Sequence, residues 1–173
     1  MDYECFCIYG FGVDYPTDWQ VTIEPKIKRV KGTVAFRSTE GMEIGVSWGP
    51  LKEAKGRFSS ADEHAKDTLD RIKKSRGINN FRILEHMSDR IDEHIAVFNH
   101  ARADLAGGGF FRGGAEKQTE ILSMHLHCDR SERYFVLYGK TTAEKTYEYA
   151  DIFNHMRNSF KCHTAELKKH MEY

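Results

Sequence analysis

Residues 118–140 read QTEILSMHLHCDRSERYFVLYGK, and they decide the fold. Leu122, Met124 and Leu126 alternate with polar residues, which is typical of a strand that buries one face. A second strand is predicted over residues 133–140, with a turn at Asp129-Arg130-Ser131 between the two. A connection this short joins antiparallel neighbours, so the sheet is predicted to be mainly antiparallel.

Further strands are predicted on both sides of this hairpin. Strands over 80–88 and 94–104 precede it and complete one meander of four strands. Nearer the N-terminus, a first meander of hairpins is predicted from four shorter segments. These segments begin at Phe11, at Trp19, at Gly32 and after Gly41.

Two helices are expected, one between the meanders and one after the second. Ser60 and Glu63 match a capping box, so a helix should begin there and end at Gly77. Thr141 and Glu144 offer a second capping box for the closing helix. Its apolar residues share one face at helical spacing and are interpreted as core: Tyr149, Ile152, Phe153, Met156 and Phe160. The fold class is therefore α/β (α+β), as a single domain over 1–173.

The composition is that of a globular protein. Apolar residues make up 40% of the chain, and 26 basic residues balance 26 acidic ones. Because the charges balance, there is no overall electrostatic attraction to nucleic acid or anionic lipid, and neither partner is expected. No apolar stretch reaches the roughly 20 residues of a membrane-spanning helix. With no signal-peptide pattern at the N-terminus, a cytoplasmic location and reduced, mostly buried cysteines are the expectation.

The order of elements resembles a known family. The aromatic-rich turn Tyr15-Pro16-Thr17-Asp18-Trp19, the two meanders and the closing Asn158-Ser159-Phe160 are similar to PsbP-like proteins. That family is named for an extrinsic protein of the photosynthetic oxygen-evolving complex and shares its fold with a Ran-binding nuclear-import factor. The resemblance implies an α/β/α sandwich and a non-catalytic binding or assembly role. No residue here matches a Ran-binding or manganese-related site, so neither role is carried over.

Gly45-Val46-Ser47-Trp48-Gly49 fits the GxSxG pattern of a hydrolase nucleophile. A nucleophile elbow needs a strand that turns at once into a helix, and Pro50 and Gly56 interrupt that context. Alternation instead places Ser47 on one face of a strand and Val46 on the other. The strand interpretation is preferred, and a serine hydrolase using Ser47 is kept as an alternative.

His125 and His127 lie two residues apart on one predicted strand, so both rings point to the same side. Two such imidazoles can begin a metal site. Further ligands would come from neighbouring strands, where His86, His94 and His100 are available, whereas Cys128 points to the opposite face. The alternative interpretation is that the two histidines belong to the polar face of the strand, and no cofactor is predicted.

A glycine-rich segment joins two strands of the second meander. It reads Gly107, Gly108, Gly109, Phe110, Phe111, Arg112, Gly113, Gly114. It lacks the GxGxxG and P-loop patterns of nucleotide-binding loops. Its first six residues are the candidate ligand-binding or partner-binding site, because loops often carry binding function.

These observations favour a small non-catalytic binding or assembly module with a protein partner. A serine hydrolase using Ser47 and a metal-binding protein using His125 and His127 are the two alternatives.

Overall fold

The computed structural model describes residues 1–106 and 117–164, and the following statements concern those residues. Nine strands and three helices are labelled in chain order. The strands are β1 Tyr3–Phe6, β2 Val13–Pro16, β3 Gln20–Ile23, β4 Gly32–Arg37, β5 Glu43–Pro50, β6 Ile78–Ile91, β7 His94–Leu105, β8 Lys117–Cys128 and β9 Arg133–Thr142. The helices are α1 Leu51–Lys55, α2 Ala61–Lys73 and α3 Thr146–Ser159.

Within the described residues, seven strands form one antiparallel sheet in the order β3-β4-β5-β9-β8-β7-β6. The hairpin of β8 and β9 lies near its middle, with Ser123 opposite Tyr138. The pairing of β5 with β9 joins the two meanders, and Ser47 lies opposite Val136. The predicted second meander and the mainly antiparallel α/β sandwich are confirmed.

The first meander differs from the expectation at its beginning. The strand near Phe11 is β2, and it pairs with β1 as a separate two-stranded ribbon rather than with β3. A local alternation pattern shows that a segment is extended, but it does not show which strand is its partner. The expectation of one meander of four strands is therefore wrong, and only β3, β4 and β5 form that meander.

One of the two predicted helix caps is present. The Ser60 hydroxyl accepts a hydrogen bond from the Glu63 N–H at 3.2 Å, as predicted for α2. The predicted cap at Thr141 and Glu144 is wrong, because β9 continues through Thr142 and a 3-10 turn follows. Helix α3 starts only at Thr146. Pairing with β8 extends the strand past the local helix signal.

The two faces of the sheet carry different helices. Helix α2 packs on β6, β7 and β8, whereas α3 packs on β8, β9 and the β1-β2 ribbon. The predicted stripe of α3 lies in the main core, as expected: Tyr149, Ile152, Phe153, Met156 and Phe160 are all at most 2% exposed. None of the described helices is both long and apolar enough to cross a lipid bilayer.

Candidate metal centre

Four potential metal ligands meet at one end of the sheet. His94 begins β7, Cys128 ends β8, and Cys162 and His163 follow α3. The ligand atoms of all four residues lie within 4.8 Å of one another. Both cysteines are fully buried, and both histidines are partly buried. Two sulfurs and two imidazole nitrogens are the donor set of Cys2His2 zinc sites.

Three sulfur-to-nitrogen distances are close to those around one tetrahedral ion. Cys128 Sγ lies 3.5 Å from His94 Nε2 and 3.7 Å from His163 Nδ1, and Cys162 Sγ lies 3.2 Å from the same His163 nitrogen. Around zinc, with bonds of about 2.3 Å to sulfur and about 2.0–2.1 Å to nitrogen, ligand atoms are about 3.3–3.8 Å apart. The two sulfurs are 3.0 Å apart, so they would separate by about 0.8 Å around the ion.

Backbone hydrogen bonds to the N-terminal region hold the segment after α3 in place. Gly12 and Lys161 exchange two backbone hydrogen bonds, at 2.9 and 2.8 Å. Phe160 is buried in the core directly before them. These contacts hold Cys162 and His163 against the end of β8.

Arg133 forms hydrogen bonds to three segments around the four-residue group. Its buried guanidinium donates to the carbonyl oxygens of Tyr9, Gly10, Arg29 and Cys162, at 2.6–3.3 Å. The N-terminal loop, the loop before β4 and the segment after α3 are thus bonded to one side chain. Ser131 adds a backbone N–H that donates to Cys128 Sγ at 3.3 Å. Such outer contacts orient metal ligands and tune their basicity.

The pKa values of the two thiols are shifted in opposite directions. The Cys162 thiol donates a hydrogen bond to Cys128, which lowers the pKa of Cys128 to about 4. The same bond, together with burial, raises the pKa of Cys162. One sulfur is therefore ready to bind a cation as a thiolate, and the second would lose its proton when the ion binds.

The histidines singled out by the sequence belong to a different group. His125 and His127 lie on the face covered by α2, where His64 Nδ1 lies 3.3 Å from His127 Nε2. Burial lowers the pKa of His125 to about 3, and neither of its ring nitrogens has a hydrogen-bond partner among the described residues. His86 instead bonds Asn99 and Asp62, and His100 bonds Glu120. His125 and His127 take no part in the four-residue group, and a metal site using them stays a prediction.

Ser47 lies within β5, three residues before the strand ends. Its flanking glycines make room for aromatic rings of β9, because a Cβ at Gly45 would meet Tyr138 and one at Gly49 would meet Tyr134. Among the described hydrogen bonds, none joins Ser47 to a histidine or a carboxylate. The glycines of this motif therefore serve packing of the sheet.

The remaining expectations have mixed outcomes. The predicted loop site, Gly107 to Arg112, lies outside the described residues. The free cysteines Cys128 and Cys162 are buried, as expected. Cys5 and Cys7 form a disulfide between exposed positions with Cα atoms 5.5 Å apart, so the expectation of reduced thiols is wrong for that pair.

Sequence patterns do not reveal this four-residue group, because its members are far apart in the chain. His94 and Cys128 are 34 residues apart, as are Cys128 and Cys162. Strand periodicity places Cys128 on the core face, as the structure confirms, and thereby separates it from the histidines on the other face. The adjacent Cys162-His163 pair was the one local signal.

Comparison with known proteins shows the fold. No protein-family model matches the chain, and no curated protein matches its sequence. The solution structure of cyanobacterial PsbP (CyanoP) from Synechocystis sp. PCC 6803 is similar, with a TM-score of 0.64 and 13% identity. The similarity covers 92% of this chain and 90% of that chain. The expected PsbP-like fold is confirmed, and at this identity the likeness extends to fold alone.

Proposed function

We propose that this PsbP-like protein is a non-catalytic binding module whose ligand is a single soft divalent metal ion, zinc above all. The observation that carries the proposal is the convergence of His94, Cys128, Cys162 and His163 within 4.8 Å. Thiolate and imidazole ligands in tetrahedral arrangement favour zinc over the hard cations magnesium and calcium.

The ligand number argues against catalysis. Catalytic zinc sites use three protein ligands and leave a fourth position for water or substrate. Here the protein supplies four ligands, which fill a tetrahedral shell. The ion would therefore act as a clamp between the start of β7, the end of β8 and the segment after α3.

Metal content and affinity test the proposal. Tag-free protein should contain one zinc per chain, and reduced, chelator-stripped protein should take up one zinc in competition with a chromophoric chelator. Cobalt substitution should give visible bands of a tetrahedral ion with sulfur-to-metal charge transfer. Zinc at about 100 times its dissociation constant should raise stability by about 2.7 kcal/mol.

Matched variants separate the centre from other cysteines and histidines. Cys128→Ser and His94→Gln should lose stoichiometric zinc. The double change Cys5→Ser/Cys7→Ser removes the chain's other two cysteines, and His155→Gln changes an exposed histidine. Both controls should keep zinc uptake unchanged.

Circular dichroism would show that each variant is folded. Wild-type protein that is folded and reduced but takes up no stoichiometric zinc, cobalt or copper(I) would contradict the proposal.

A further inference from the structure

A positively charged cleft of about 430 Å³ opens beside the metal centre. Its wall includes three arginines, two hydroxyl residues and one histidine: Arg29, Arg130, Arg133, Ser131, Thr164 and His163. No carboxylate is among the described residues that line it. Arg130 and Arg133 supply positive charge to this wall, which favours a positive potential inside the cleft.

The arginines contribute in different ways. Arg133 is buried, and its described hydrogen bonds all go to backbone carbonyls rather than to a carboxylate. The side chain of Arg130 is 63% exposed, and its described carboxylate contact is with Glu93 at 4.0 Å. Arg130 is therefore able to turn toward a ligand, whereas Arg133 supplies a fixed charge.

Two hydroxyl groups of the wall have unused hydrogen-bonding capacity. Ser131 Oγ and Thr164 Oγ1 are buried and have no partner among the described residues. A buried polar atom without a partner destabilises the folded state. A ligand that brings several acceptor oxygens, with small rotations of these hydroxyls, would remove that cost.

We infer that this cleft binds the phosphate group of a small, soluble phosphate monoester. A phosphate monoester carries close to two negative charges, and its oxygens match the forked donors of guanidinium groups. The cleft falls within the range of about 300–1,000 Å³ that is usual for small-molecule sites, so it has room for an organic group besides the phosphate. The inference goes beyond metal binding, since only His163 belongs to both sites.

Isothermal titration calorimetry with glycerol 3-phosphate tests the inference. Zinc-loaded wild-type protein at low ionic strength should bind one molecule, and glycerol at matched salt should give no binding. Arg130→Gln should weaken binding at least tenfold, because a charge-assisted hydrogen bond to the phosphate is lost. The matched control is Lys52→Gln on α1, which lines the neighbouring cleft and not this one.

Two further experiments test whether binding depends on the metal and whether it is specific for phosphate. His94→Gln removes a metal ligand that lies outside the cleft, and it should lose zinc while keeping affinity for glycerol 3-phosphate within about threefold. Succinate should bind at least tenfold more weakly than the phosphate ester.

Three results would overturn the inference. They are no saturable binding of glycerol 3-phosphate, equal affinity in Arg130→Gln and wild type, and binding only to vesicles that contain phosphatidic acid.

Discussion

The buried histidine pair between α2 and the sheet is expected to make stability depend on pH. His125 is completely buried on β8, and its ring lies 4.9 Å from that of His64 in a perpendicular contact. Burial, with smaller contributions from the nearby histidines, lowers the pKa of His125 from 6.5 to about 3. Burial, with the charge of His127, lowers the pKa of His64 to about 4. Both rings are therefore neutral in the folded protein at pH 7.

Stability falls as the pH falls, because the pKa values of both histidines are lower in the folded state than in the unfolded state. Below pH 6.5 the unfolded chain binds protons at positions 64 and 125, while the folded chain resists them. Stability is therefore fully present above pH 6.5 and is lost as the pH falls toward 3–4. A pKa that falls from 6.5 to about 3 corresponds to about 5 kcal/mol for His125 alone. A domain with about 5–15 kcal/mol of total stability should unfold within that window.

Substitution of His125 isolates its share of the effect. His125→Phe keeps a ring but removes the titrating group, so proton uptake on unfolding between pH 4 and 6 should fall by about one. At pH 7.5 the variant should gain about 1–3 kcal/mol, because a buried N–H without an acceptor is removed. His125→Gln should lose the same proton but gain no stability, which separates charge from packing.

Urea unfolding of metal-free, reduced protein at several pH values measures both quantities. A chelator is needed because acid also releases a bound metal from its ligands. An unchanged slope of unfolding free energy against pH in His125→Phe would refute the reasoning.

Two further predictions concern positions that hold the fold around the metal centre and α3. Arg133→Lys leaves several carbonyl acceptors without donors, so it should cost at least about 3 kcal/mol in urea unfolding and weaken zinc binding about 10–100-fold. Unchanged zinc affinity in folded Arg133→Lys would show that the guanidinium does not position Cys162. Gly139→Ala places a Cβ against the Tyr149 hydroxyl, which donates to the Glu43 carbonyl at 2.9 Å, and it should cost about 1–3 kcal/mol. With Tyr149→Phe the two costs should be less than additive, and strict additivity would contradict this contact.

Sequence patterns predicted the parts of the fold that depend on neighbouring residues. The hairpin of β8 and β9 follows from a short turn, and the start of α2 follows from Ser60 and its cap. The pairing of β2 with β1 and the extension of β9 to Thr142 depend on distant partners, so local patterns did not reveal them.

The candidate site was harder to predict for a related reason. Periodicity assigns each residue to a face of a strand, and by that rule Cys128 is core. Its proposed role as a ligand depends on the positions of His94 and Cys162, which are set by β-sheet pairing and by the docking of α3. The phosphate cleft likewise combines the N-terminal loop, the loop before β4 and the segment after α3.

Because the four proposed ligands come from three separate segments, the metal site forms late in folding. The unfolded chain has no preformed pocket, because the donors from three segments meet only after β7 and β8 have paired and α3 has docked. If the four residues bind zinc as proposed, high-affinity capture is expected only in chains that have completed both steps. A zinc-responsive signal during refolding would mark the last stage of assembly, later than the signal for strand formation.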